Sequence, residues 1–271
     1  MTTLMQALWI EPGDCIAVVG AGGKTSTCWR LVQDLARARP GQRVVFTTTT
    51  KIWRPADGVF DVIQIDPHPT LSPEQGGVWH TACLAAGFDG PLNFTPVEGA
   101  FMPTVHTKLD GFTPEDIGAL HHRAGRAGLA TTVVECDGAR GLEIKAPGEH
   151  EPVIPACANV VCVLVSLDAI GQPLDDRVAH RAQRLSHLTN TPLRAPITTE
   201  LIAALLTHPD GGLKGIPPGA RAVAVLTQHA TTAPHSAAPA LMAQLVRSGF
   251  DRAVSVALRA AHPVLGVSTN R

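Results

Sequence analysis

The chain has 271 residues, 45% of them apolar and 17% charged, with a formal net charge of −1. That is apolar material for a sizeable core, in one large α/β domain or two small ones. Near-zero charge supplies no field for nucleic acid or an anionic membrane, and no run reaches the ~18 apolar residues of a membrane helix. Residues 1–6 show neither a basic segment nor a long apolar core, so no export signal is read and the expected location is the cytoplasm. Six cysteines occur without a C-x-x-C pair, and Cys15, Cys28, Cys136 and Cys162 fall in or beside apolar runs. They fit buried thiols in a reducing compartment. The twelve histidines lack the spacing of a metal-binding helix or finger, so no zinc site is expected.

Leu4 to Trp9 reads as a short leading helix, and Pro12-Gly13 turns into an apolar strand, Cys15 to Val19. Three glycines follow within four residues, in Gly20-Ala21-Gly22-Gly23-Lys24-Thr25-Ser26. A helical pattern (Trp29, Leu31, Val32, Leu35) then runs to about Arg39 and stops at Pro40-Gly41. Strand, Gly-rich loop and helix in this order suit a phosphate: glycine turns backbone N–H groups inward, and the helix start adds free donors and a positive dipole end. Lys24 reaches for the outer phosphates, and the Thr25 hydroxyl suits Mg²⁺. The usual G-x-x-x-x-G-K-[ST] spacing would put its first glycine at Val18. The motif is instead the shorter G-x-x-G-K-T, Gly20 to Thr25, similar to the loop of Mur-type ligases. The alternative is a tight glycine turn with a solvated lysine.

Arg43 to Thr47 is a second strand, which makes a βαβ unit and a parallel sheet. Its end, Thr47-Thr48-Thr49-Thr50-Lys51, belongs near the Gly-rich loop, because ligands sit beyond the carboxyl ends of such strands. Thr50 and Lys51 are therefore candidate nucleotide contacts; the alternative is the plain β propensity of threonine. Phe60 to Ile65 is a strand. Residues 67–107 carry Pro67, Pro69, Pro73, Pro91, Pro96 and Pro103. They read as an irregular excursion with a short hairpin and one helical turn near Ala82–Ala86, a lid or binding element. Thr113-Pro114-Glu115-Asp116 starts a helix that ends near Gly128. Ala130 to Val134 is a strand that runs into Glu135-Cys136-Asp137-Gly138. Acids at the end of an apolar strand, after a phosphate loop, suggest a metal and water element. Asp137 is expected on Mg²⁺ with Thr25, and Glu135 on the attacking water; the alternative is a polar strand end.

Residues 142–152 are too polar and broken for a buried element. Val160 to Val165 is a strand, Asp175 to Leu188 a helix carrying His180 and Arg181, and Thr198 to Leu206 another helix. Gly211 to Gly215 is a loop. Ala222–Leu226 and Ala253–Val256 are strands around a helix from about Pro239 to Ser248. About seven strands with intervening helices predict one α/β domain over residues 1–271, a doubly wound, mostly parallel sheet of the P-loop NTPase kind.

The chain uses 17 arginines but only five lysines, Lys24, Lys51, Lys108, Lys145 and Lys214, each in or beside a loop. That pattern hints at a compact, flexible ammonium where chemistry needs one. The set Gly20–Thr25, Thr47–Lys51, Lys108–Gly111, Glu135–Arg140, Lys145–Pro147, His150–Pro155, Leu167–Leu174, Val178–Arg181 and Gly212–Gly215 resembles the YqeC family, proteins tied to selenium cofactor biosynthesis and selenium-dependent molybdenum hydroxylases. The resemblance spans about Gly20 to Leu226. It implies a nucleotide-dependent accessory factor whose partners are a molybdenum hydroxylase or its maturation proteins. Thr227-Gln228-His229-Ala230 stands where relatives often carry Asn-Lys-x-Asp, so the usual guanine signature is absent; adenine or cytosine nucleotides, or weak base preference, are expected, with ATP favoured. Two other readings stay open: a ligase or kinase acting on a small anionic substrate, and a binding protein without turnover. The segment from Gly138 to Pro155, with His180 and Arg181, is the expected substrate side. Arg140, Lys145 and His150 would hold an anion there; alternatively their charges pair with Glu143, Glu149 and Glu151.

Overall fold

The computed structural model describes residues 2–38, 43–69, 81–89, 95, 104–126, 129–229 and 233–270. Among these, the chain forms α1 (Leu4–Ala7), β1 (Cys15–Gly20), α2 (Lys24–Ala38), β2 (Arg43–Thr48), β3 (Ile52–Pro55), β4 (Val62–Ile65), β5 (Thr81–Ala85), β6 (Gly87–Asp89) and β7 (Thr104–Asp110). It continues through α3 (Pro114–Arg126), β8 (Leu129–Glu135), β9 (Ile144–Lys145), β10 (Val160–Ser166), β11 (Ala179–His180), α4 (Ala182–Thr189) and α5 (Thr199–Thr207). It closes with β12 (Arg221–Thr227), α6 (Ala238–Arg247), β13 (Arg252–Val256) and β14 (Val264–Thr269).

The central sheet has nine strands in the order β14-β13-β12-β10-β1-β8-β2-β5-β4. Every pairing is parallel except β13 with β14. Alternation along the strands splits the core into two layers. Ile16 and Val18 of β1 share one layer with Leu4 and Leu8 and with Trp29, Leu31 and Leu35 of α2. Ala17 and Val19 share the other with Ile117 of α3, Leu201 of α5 and Leu241 of α6. With both faces covered, the inner strands read as continuous apolar runs, and β10 is buried at all seven positions. In the first layer Trp29 meets Phe46 and Phe60 edge-on, with ring centroids 6.2 and 5.8 Å apart.

The mostly parallel α/β arrangement agrees with the sequence reading, and all seven expected strands are present. The sheet is larger by two. The helical turn expected near Ala82–Ala86 is replaced by β5, which lies inside the sheet between β2 and β4. Its alanines favour a helix, but burial of Cys83, Leu84 and Ala85 between neighbouring strands overrides that propensity. Strand β14 closes the edge antiparallel to β13. Two more segments of the excursion, β6 and β7, join β3 in a separate three-stranded antiparallel sheet. Residues 70–80, 90–94 and 96–103, like Pro40-Gly41 and Gly128, lie outside the described residues.

The helix expected from Asp175 begins only at Ala182. The Asp175 carboxylate accepts from the Arg177 N–H at 2.9 Å, a local turn that competes with helix. Arg181 then takes a left-handed φ of 64°, which separates the β11 bridge from α4. All six cysteines are free. Among the described residues no helix is long and apolar enough to cross a membrane.

Candidate functional site

The ends of β1, β2, β8 and β10 converge on the Gly-rich loop. Gly20 has φ +95°, and a Cβ there would stand 2.2 Å from the Leu164 carbonyl oxygen; at Gly22, φ +79°, it would stand 2.6 Å from the Ser166 nitrogen. Only glycine lets the loop press this closely on β10. Three loop N–H groups are tied down within the protein. Gly20 donates to Asp137 Oδ2 at 3.1 Å, Ala21 to the Leu164 carbonyl at 3.0 Å and Gly22 to the Leu142 carbonyl at 3.0 Å. The N–H groups of Gly23, Lys24, Thr25 and Ser26 have no partner among the described residues, and helical bonding resumes with Thr27 donating to Gly23. Of the residues expected to cradle a phosphate, the first three therefore hold the loop's shape and the last four present open donors.

Two acids and two lysines lie beneath this mouth. Lys24 Nζ donates to the Gly20 carbonyl at 2.8 Å and stands 3.3 Å from Asp137 Oδ1. Lys145 Nζ stands 2.9 Å from Asp137 Oδ2, 2.6 Å from Glu151 Oε2 and 2.5 Å from the Gly138 carbonyl. Arg181 grips the same Glu151 with two hydrogen bonds, at 2.7 and 2.9 Å. Burial works against the Glu151 charge, yet Arg181 and Lys145 hold its pKa down at about 2. Glu135 lies on the other side of the loop, where its Oε2 accepts from Thr25 Oγ1 at 2.8 Å. Its burial raises the carboxyl pKa, against the opposing pull of Lys24 and Thr25.

The acid that meets Thr25 is thus not the one expected. Strand β8 ends at Glu135, so the alternation that would put Asp137 on the same side does not continue. Glu135, not Asp137, stands beside the Thr25 hydroxyl, and these two oxygens fit a hard cation such as Mg²⁺. Asp137 sits between two ammonium groups, 2% exposed, with Oδ1 making no hydrogen bond.

A cavity of about 860 Å³ opens over the loop, walled by Gly22–Ser26, Thr49–Trp53, Lys108, Asp110, Glu135 and Gly138–Leu142. Thr50 and Lys51 border it as expected, although Lys51 is paired with Asp89 at 2.5 Å. The small antiparallel sheet supplies the far wall. Gly111 lets it close in, since a Cβ there would lie 2.6 Å from the Thr49–Thr50 backbone. Trp53, with the Lys108 ammonium 5.0 Å above its ring, is a wall residue that pattern reading missed, and Asp110 one that it singled out without a role. The scarcity of lysine and the Lys108–Gly111 segment of the family resemblance were the signals that marked Lys108.

The expected substrate residues divide. Arg140, His180 and Arg181 border a second cavity. Lys145 is buried among carboxylates, and His150 is exposed on a turn outside both cavities. On the opposite flank of the loop Glu143, Asp168 and His229 bring potential ligand atoms within 4.8 Å of one another. Asp168 Oδ2 is already held there by the His229 N–H at 2.8 Å.

A family model described as YqeC protein matches residues 16–183, more than half of the chain. A relative from Escherichia coli (strain K12), described as an uncharacterized protein YqeC, is 32% identical over 212 residues, which is 77% of this chain and 73% of the relative. The chain belongs to the YqeC family. No solved structure matches it. The YqeC match takes in the whole glycine loop, Glu135, Asp137, Lys145, Glu151 and Arg181, and stops short of α5, β12 and β13.

Proposed function

We propose that this YqeC-family protein binds a nucleoside triphosphate, ATP in preference, with Mg²⁺ at the Gly20–Ser26 loop. In this reading it is a nucleotide-dependent accessory factor in selenium cofactor biosynthesis or in the maturation of selenium-dependent molybdenum hydroxylases. The observation that carries the nucleotide part is the row of open N–H donors from Gly23 to Ser26 at the start of a 15-residue helix. Such a row favours a polyanion. Lys24 would leave Asp137 for the outer phosphates. Thr25 and Glu135 would hold Mg²⁺, which neutralises charge on the β- and γ-phosphate oxygens. Asp137 would keep Lys24 and Lys145 in place. ATP is favoured because the stretch from Thr227 lacks the aspartate of the guanine signature; Ala230 itself lies outside the described residues. The selenium and molybdenum part rests on the family resemblance.

A second reading, a ligase or kinase that activates a small anion, is favoured by the second cavity beside Arg140. Phosphate and ADP release by the purified protein separates the readings. Slow hydrolysis accelerated by a molybdenum hydroxylase supports the accessory factor. ADP formed in proportion to an added small acid supports the ligase or kinase. Tight binding with no turnover under either condition would sink both and leave a nucleotide sensor.

A further inference from the structure

We propose that the cavity bordered by Arg140, His180 and Arg181 is the binding site of a second ligand, a small molecule with one oxyanionic group and a hydroxyl or amine. The proposal rests on the nucleotide reading, because it places this ligand against the terminal phosphate of a nucleotide on the glycine loop.

The cavity measures about 650 Å³, within the range of small-molecule sites. It is not a separate surface feature. Thr50, Gly138, Arg140 and Leu142 border both this cavity and the one over the loop, so the two meet along a common wall. A ligand in one reaches the outer end of a ligand in the other.

The charges define the ligand. Arg181 is neutralised by its paired hydrogen bonds to Glu151. The Arg140 side chain is exposed and has no hydrogen bond or ion pair among the described residues. One uncompensated guanidinium, with its planar fork of donors, suits one carboxylate or phosphate group. Asp176 also borders the cavity, so a polyphosphate would meet repulsion while a hydroxyl or amine would find an acceptor. The His180 imidazole, without a hydrogen bond among the described residues, is held towards its neutral form by burial and by Arg181 and Lys145. A neutral ring can accept a hydrogen bond from such a group.

The backbone adds an independent observation. Among the described residues only five non-glycine residues have positive φ, and both arginines of this cavity are among them, at 54° for Arg140 and 64° for Arg181. They come from different loops. Conformations of this kind are unfavourable for a residue with a Cβ and concentrate where side-chain placement matters.

The test uses inorganic phosphate as the probe, on full-length protein saturated with Mg²⁺ and the non-hydrolysable analogue AMPPNP. Filling the loop keeps the probe from binding there. Calorimetric titration should show one phosphate bound per chain. Arg140→Ala should weaken it at least fivefold, while Arg177→Ala, which removes an exposed arginine outside the cavity, should change it less than twofold. Absence of phosphate binding to the AMPPNP-loaded wild type, or equal losses in the two variants, would overturn the proposal. Failure of the wild type to bind AMPPNP at all is a separate result, which would overturn the nucleotide reading and this proposal with it.

Discussion

Lys145 is the side chain on which the site's electrostatics turn. Its ammonium has three hydrogens and three oxygen partners, one each from Asp137, Glu151 and Gly138. Lys145→Met would leave two carboxylates facing each other without the buried cation. Breaking a buried pair in this way costs about 3–5 kcal/mol. Urea denaturation should show that loss, and a change below about 1 kcal/mol would mean the network is not formed. Glu151 adds a pH signature. Its folded pKa, about 2, lies below the ordinary 4.5, so its contribution is complete above pH 4.5 and is lost as pH falls towards 2. The stability gap between wild type and Glu151→Gln should therefore be widest near neutrality and narrow below pH 4.5; a gap unchanged down to pH 3 would contradict the pairing. Glu135 has the opposite sign. Burial raises its pKa, so the folded state holds that proton more tightly than the unfolded chain, and stability falls as pH rises above 4.5. Glu135→Gln should make the ligand-free protein more stable at pH 7, while lowering its affinity for Mg²⁺ with nucleotide. A lower melting temperature for that variant would show that ionised Glu135 stabilises the fold.

At the scale of elements, the glycine loop depends on close approach to β10. Gly20→Ala would force a methyl to 2.2 Å from the Leu164 carbonyl at φ +95°, whereas Gly58→Ala, at φ +84°, meets nothing within 4 Å. The first should cost about 3 kcal/mol or more, from overpacking added to backbone strain, and the second about 1 kcal/mol. Thermal unfolding of the two variants would check this, and equal shifts would mean that the β1–β10 contact does not constrain the loop. The inner strands were legible because burial on both faces writes them as unbroken apolar runs. Strand β5 was hidden by its alanines and by the prolines around it, since only its neighbours β2 and β4 make it a strand. The start of α4 was missed because periodicity cannot register a left-handed residue such as Arg181. The loop itself was legible through local chemistry. That Glu135 rather than Asp137 meets Thr25 was not, because it depends on where β8 ends. Nor was the burial of Lys145: pairing with Glu151 was one of two readings, but its contacts with Asp137 and Gly138, eight and seven positions away, are made only by the fold.

For the whole molecule, the sheet gathers both cavities beyond the carboxyl ends of its central strands. Between them runs a line of alternating charge, Lys24, Asp137, Lys145, Glu151 and Arg181, each in contact with the next. Its first member faces the expected phosphates and its last borders the second cavity. The excursion after β4 completes the enclosure by adding β6 and β7, with Lys108, to β3 and its Trp53. The nucleotide reading requires that a phosphate chain occupy the loop and draw Lys24 towards it. Calorimetric titration of wild type and Lys24→Ala with ATP, with and without Mg²⁺, tests that directly. The expected result is one ATP per wild-type chain, tighter with Mg²⁺, and a loss of roughly 2 kcal/mol or more in Lys24→Ala, since a charge-assisted contact disappears. Wild-type protein that binds no ATP, or a Lys24→Ala variant that binds it equally well, would contradict it.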